Sequence, residues 1–146
     1  MSVATRLIRR EPFGAVLPTD HPLAGESEID LRDLADDGFI TTPISAGSSL
    51  QEVAMRACLD AGFRPRIVQE ITDPYMILLL VSTGVGVALM TSGIAPIAPP
   101  GTVFVPLAGE PVYMQHGLGW SRKRISPALQ VALDLAEEIL PGPIET

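Results

Sequence analysis

The chain has 146 residues, 47% of them apolar, and a mean hydropathy of +0.32, so one ordinary domain with a well-supplied core is expected. Ten basic against seventeen acidic residues leave a net charge of −7, which argues against a nucleic-acid-binding surface, because phosphate contacts need a local excess of Lys and Arg. A single cysteine excludes an intramolecular disulfide or a two-cysteine switch, and the most apolar run, Met76 to Met90, is broken by Ser82, Thr83, Gly84 and Gly86 and is shorter than the ~20 residues of a spanning helix.

The residues Met1 to Arg10 contain no apolar core long enough for a signal peptide, so a cytosolic location with no membrane partner is expected. Phe13 to Leu17 reads as a strand ended by Pro18, and Thr19-Asp20-His21-Pro22 as a turn with His21 exposed. Asp30 caps a short helix, Leu31 to Ala35, which Asp36-Asp37-Gly38 stops, and Phe39 to Thr42 is the next strand. Ser48 with Gln51, or Ser49 with Glu52, satisfies a capping box, so a helix starts there. Its apolar face is Leu50, Val53, Ala54, Ala57 and Ala61, and it runs about four turns to a left-handed stop at Gly62. Cys58 falls among Met55, Leu59 and Ala61 and is expected to be a buried packing thiol.

Arg66 to Ile71 is a strand. Asp73 then caps a helix with Pro74 at its first position, Gly84 stops it, and Val85 to Met90 is a strand with almost no polar residue. This βαβ unit requires a parallel sheet with helices on its faces, and it gathers the loops after the strand ends on one rim, where small ligands bind. Ser92 to Ile97 is a short turn of helix and Thr102 to Val105 a further strand. From Val112 to Trp120 apolar residues alternate with Tyr113, Gln115, Gly117 and Gly119, giving a strand with one thin face that another backbone can approach. Ser126 and Pro127 open a last helix whose buried stripe is Leu129, Ala132, Leu133, Ala136, Ile139 and Leu140, ended by Pro141-Gly142-Pro143.

Catalytic and metal readings fail on the residues. Ser48, His116 and Asp73 make a triad in name only, since His116 shares a face with Met114 and Trp120 and no nucleophile-elbow pattern surrounds either serine. Two distant histidines with no further ligand at suitable spacing give no metal site. Gly84-x-Gly86 lies between a helix and a strand, the reverse of a dinucleotide loop, so no cofactor is expected. The basic clusters Arg6, Arg9, Arg10 and Arg122, Lys123, Arg124 are simplest as solvated strand and loop ends.

Taken in order, several segments resemble the effector-binding region of LysR-type bacterial transcriptional regulators. They are Glu11 to Pro18, His21-Pro22-Leu23-Ala24, Ile29 to Leu34, Phe39-Ile40, Ala61-Gly62-Phe63-Arg64-Pro65 and Leu80 to Leu89. The resemblance implies an α/β fold: a periplasmic-binding-protein type II-like, Rossmann-like lobe with a mainly parallel sheet flanked by helices, plus two antiparallel crossover strands and a C-terminal helix. Residues 18–106 would be regulatory lobe II, the effector-binding lobe. Residues 1–17 and 107–146 would be the crossover strands, Leu7 to Leu17 and Val112 to Trp120, and the remnant of lobe I. The winged helix-turn-helix, linker helix and first half of lobe I of an intact member are expected to be missing, so apolar faces left by that half are expected to be covered by self-association.

By the same resemblance the effector contacts come from the loop after Phe39-Ile40 and the next helix start: Thr41, Thr42, Pro43, Ile44, Gly47, Ser48 and Ser49. Asp73 and Thr91, with Ser92, follow the next strands on the same rim. Backbone N–H groups and serine hydroxyls at a helix N-terminus suit a carboxylate, so an organic-acid effector is implied. The plainer reading of Ser48, Ser49 and Asp73 is as caps alone. The implied function is non-enzymatic sensing in transcription regulation, with no direct DNA contact by this chain and with a homodimer or an intact regulator as partner. A stand-alone small-molecule binding protein, or a truncated subunit that blunts an intact regulator, is the alternative.

Overall fold

A sixteen-residue strand, β1 (Val3–Pro18), belongs in part to each of the two compact units of the chain, residues 12–114 and residues 1–11 with 115–146. The computed structural model describes residues 2–46, 49–140 and 144–145.

In the larger unit the sheet is built outward from the buried end of β1. Strand β2 (Gly38–Thr41) pairs in parallel with β3 (Arg66–Glu70), with Gly38 opposite Arg66 and Thr41 opposite Glu70. On its other edge, β2 meets Val87, which donates to the Gly38 carbonyl and accepts from the Ile40 amide, both at 2.8 Å. Val87 leads into β4 (Ala88–Thr91), antiparallel to β1 from Phe13↔Thr91 to Val16↔Ala88, and β5 (Thr102–Pro106) lies antiparallel along the opposite edge of β1. The resulting order is β3-β2-β4-β1-β5, in which only β1 runs against the rest. This is the expected α/β lobe with a mainly parallel sheet.

The core follows from that order. Ala15, Val16 and Leu17 of β1 and Ala88, Leu89 and Met90 of β4 are buried in succession, as in strands covered on both faces. Helix α1 (Leu50–Asp60) buries Leu50, Gln51, Ala57 and Cys58, and α2 (Pro74–Ser82) buries Ile77, Leu78 and Val81. Asp73 caps α2 by accepting from the Tyr75 amide at 2.9 Å, and Pro74 occupies its first turn, where a missing N–H costs nothing. Gly62 and Gly84 end the two helices with φ of 94° and 83°, the left-handed stops their positions predict.

Four local expectations change. Helix α1 has eleven residues, three turns rather than four, and Ser49 at its start makes no side-chain cap bond, so the Ser49–Glu52 capping box is not formed. The helix at Leu31–Leu34 is 3-10, with Asp30 accepting from the Arg32 amide. The strand expected from Val85 starts at Ala88: Val85 is half exposed and a Cβ on Gly86 would stand 2.6 Å from the Gly38 carbonyl oxygen. His21 is not an exposed turn residue. Its side chain keeps 10% of its accessible surface, its Nε2 is 3.2 Å from both Asp37 carboxylate oxygens, and its Nδ1 accepts from the Leu23 amide. With Nδ1 accepting, Nε2 carries the proton and donates to Asp37, tying the turn to the end of the 3-10 helix.

In the smaller unit β1 pairs with β6 (Tyr113–Ser121). Gly117 lies against the Arg6 carbonyl, Gly119 faces that of Ala4, and the Arg122 amide donates to Ser2, so the strands run antiparallel, as the crossover reading requires. A Cβ on Gly117 would sit 2.8 Å from the Arg6 oxygen, which accounts for the thin face of β6. A short strand, β7 (Ile144–Glu145), lies parallel to β1 at Arg9 and Arg10.

Helix α3 (Pro127–Ile139) begins as expected, with the Ser126 hydroxyl accepting from the Leu129 amide at 3.1 Å. Its predicted stripe is not buried. Leu129, Leu133, Ala136 and Leu140 are half-buried, Ala132 is exposed and Ile139 is 70% exposed. Among the described residues the unit offers three strand segments, one of them only two residues long, and one helix, too little surface to enclose that helix. The proline-glycine stop at 141–143 lies outside the described residues. Nor are the first basic residues simply solvated. Arg6 donates to the carbonyls of Ala136 and Leu140 at the end of α3, and Arg9 Nε lies 2.9 Å from Glu11, itself buried and 3.3 Å from His116. Arg122, Lys123 and Arg124 are exposed.

Candidate functional site

Parallel strands β2, β3 and β4 end at Thr41, Glu70 and Thr91, so the loops that follow them share one rim, and the Ile71 amide donates to the Thr41 carbonyl at 2.8 Å. Every described candidate residue sits on this rim or at a helix start beside it. Thr41 is 8% and Thr42 1% exposed, Pro43 is half-buried, and Ile44, in the 3-10 turn Ile44–Ala46, is 82% exposed. Ser49 is exposed at the start of α1. Gly47 and Ser48 lie outside the described residues.

Asp73 is exposed and committed to capping α2. Thr91 is half-buried and stands before the 3-10 turn Ser92–Ile97 without making a side-chain cap bond. Near the rim, the buried Thr42 Oγ1, Gln51 Oε1 and Ser92 Oγ have no hydrogen-bond partner among the described residues. Thr42 and Ser92 directly follow β2 and β4, which are joined through Val87, and Gln51 is in the first turn of α1. Each unpaired group costs about 1–3 kcal/mol relative to a satisfied one, so this end of the lobe has unspent hydrogen-bonding capacity.

Among the described candidates, Thr41, Ile44 and Ser49 border three different hollows. Thr41 and Gln51 border a small, partly open cleft of about 20 Å³ with Cys58 and Leu89, room for about one water. Ile44 borders an open groove of about 440 Å³ with Met55, Arg56 and Leu59, whereas Ser49 borders another of about 390 Å³ with Val53, Val112 and Tyr113. Helix α1 thus separates two of the residues that the sequence reading grouped. Gln51 escaped that reading because a glutamine three residues after a serine signals a capping box, while its burial depends on how α1 lies on the sheet.

Burial pushes the Cys58 thiol up to about 12, as for a packing group rather than a nucleophile. Asp30 is held below the ordinary carboxylate range chiefly by side-chain hydrogen bonds from Arg32, away from the candidates. Among the described residues no three His, Cys, Asp or Glu side chains group as a metal site, and no helix is long and apolar enough to cross a membrane.

Residues 2–141 match the LysR substrate binding domain family. The transcriptional regulator ShiR of Corynebacterium glutamicum (strain R) is 48% identical over 137 residues, covering 94% of this chain and 46% of its own length. The activator HcaR of Escherichia coli (strain K12) is 31% identical over 130 residues, covering 89% and 44%. The chain therefore spans about half the length of the curated relatives it matches. Among solved structures, the effector binding domain of QuiR in complex with shikimate superposes with a TM-score of 0.83 at 20% identity, over 96% of this chain and 66% of that one. The regulatory domain of Synechocystis PCC6803 CcmR in complex with 2-PG gives 0.84 at 18% identity, over 99% and 70%. Both likenesses concern the fold alone. The relatives named in sequence are transcriptional regulators, and this chain belongs to the LysR substrate binding domain family.

Proposed function

We propose that this chain is the effector-sensing portion of a LysR-type regulator, that it binds a small carboxylate, and that it acts without catalysis, in the cytosol and without touching DNA itself. In this reading residues 18–106 are regulatory lobe II, and residues 1–17 and 107–146 are the crossover strands and remainder of lobe I. The division into units of 12–114 and the two chain ends supports it. The effector surface comprises Thr41, Thr42, Pro43, Ile44, Gly47, Ser48 and Ser49, with Asp73 and Thr91 beside it.

One observation carries the proposal: the buried Thr42 hydroxyl has no partner among the described residues, and it follows β2 on the approach to α1, whose N-cap residue, Ser49, makes no side-chain cap bond. The first amides of a helix lack intrahelical acceptors and its dipole favours negative charge, so a carboxylate there meets donors that nothing in the helix satisfies. Shikimate, the ligand named for the QuiR domain, is a carboxylate as well. The effector acts by binding one arrangement of the assembly better than another. Self-association as a homodimer, or joining an intact regulator, supplies that assembly.

Thermal-shift screening with aromatic and aliphatic carboxylates tests the site. A stabilising acid is expected, with its shift reduced by Ser48→Ala, Ser49→Ala or Thr42→Val. No shift with any acid, or a shift indifferent to all three substitutions, overturns the assignment.

A further inference from the structure

The small cleft bordered by Thr41 and Gln51 joins the last residue of β2 to the first turn of α1. Gln51 is 7% exposed, and its Oε1 is buried without a hydrogen-bond partner among the described residues. An amide oxygen only accepts, so the group that satisfies it must carry a proton. At about 20 Å³ the cleft has room for about one water, which is room for a hydroxyl rather than a carboxylate. Its other lining residues are apolar but for Cys58, whose thiol burial keeps protonated, so an anion pushed into the cleft would lose its water and meet no cation.

The adjoining backbone has the opposite need. The Val53 amide donates to the Ser49 carbonyl at 3.0 Å, and the Gln51 and Glu52 amides ahead of it have no acceptor within α1. Gln51 therefore offers a donor from its backbone and an acceptor from its side chain. Because both belong to one residue, a ligand that meets both carries its hydroxyl within a few bonds of its carboxyl carbon.

From this pairing we infer that the effector is a hydroxy acid, with its carboxylate on the amides that open α1 and its hydroxyl in the cleft, donating to Gln51 Oε1 beside Thr41. Gln51 is then the residue that sets specificity. This rests on the carboxylate reading above and narrows it. An acid without the hydroxyl leaves the buried oxygen unpaired, and a methyl group in its place fills the cleft with no proton to give, so both are rejected.

Isothermal titration calorimetry of the 146-residue chain with matched acids is the test. The pairs are 3-hydroxybenzoate and benzoate, 3-hydroxycyclohexanecarboxylate and cyclohexanecarboxylate, and 3-hydroxybutyrate and butyrate, with 3-methylbenzoate as the control for size. In at least one pair the hydroxylated acid is expected to bind about tenfold tighter or more, and 3-methylbenzoate no better than benzoate. Gln51→Met keeps the length of the side chain and removes the acceptor. It should bring that pair to within about twofold while leaving the affinity of the unhydroxylated acid unchanged. Thr41→Val, on the other wall, should reduce the preference as well, and it decides the matter should circular dichroism show Gln51→Met unfolded. Pairs that bind equally overturn this inference and leave the carboxylate reading standing. A preference that survives both substitutions puts the hydroxyl elsewhere and overturns the role of the cleft, and a folded Gln51→Met that weakens both members of a pair alike overturns the specificity role of Gln51. Binding by none of the acids overturns this inference together with the carboxylate reading.

Discussion

Cys58 shows how one residue's environment decides its chemistry. It is 1% exposed in the middle of α1, and burial penalises its thiolate. Its raised ionisation means that the folded chain holds the proton more tightly than the unfolded chain does. The stability this linkage contributes is present below the unfolded thiol's ordinary value of 9.0 and is lost as pH rises toward about 12. At pH 8 a thiol reagent should leave the native protein unlabelled and react promptly after urea unfolding; rapid native labelling would show the site to be open. The buried thiol was legible in sequence because Cys58 sits among apolar residues at helical spacing. His21 was not, because its partner Asp37 is sixteen residues away and only the folding of the turn onto the 3-10 helix brings them to 3.2 Å.

At the level of elements, local chemistry predicted starts and stops better than partners. Asp73-Pro74 and Ser126-Pro127 begin helices, Gly62 and Gly84 end them, and in each case the cause lies within a few residues. Gly86 is different. Read as punctuation, it proves to be a contact: a Cβ there would meet the Gly38 carbonyl at 2.6 Å and the Ile40 side chain at 3.3 Å. Backbone cannot yield as a flexible side chain does, so Gly86→Ala should force β2 away from Val87. A loss of about 1–3 kcal/mol is expected in urea denaturation, the usual cost of overpacking. Substitution without loss of midpoint would show that the two segments can separate freely. The same logic explains α1: a capping box is a local pattern, yet Gln51 is drawn into the core by the sheet beneath.

For the whole molecule, the two units differ in how much they enclose. In residues 12–114, α2 buries three side chains completely, whereas α3 in the smaller unit has none fully buried. Local opening follows the number of buried contacts, so amides of α3 should exchange with deuterium at least tenfold faster than those of Ile77, Leu78 and Val81 under dilute conditions. Equal protection would mean that α3 is enclosed in solution. The sequence by itself determined the α/β class, the direction of the sheet and the rim on which Thr41, Thr42, Ser49, Asp73 and Thr91 lie. Periodicity and capping act over a few residues, and a βαβ unit has essentially one way to fold. Only the tertiary structure decided that Ile44 and Ser49 face different grooves, that Gln51 and the Thr42 hydroxyl are buried without partners, and that the stripe of α3 is left half open. Those outcomes depend on which surfaces are available to cover which side chains, and availability is settled by contacts between residues far apart in the chain.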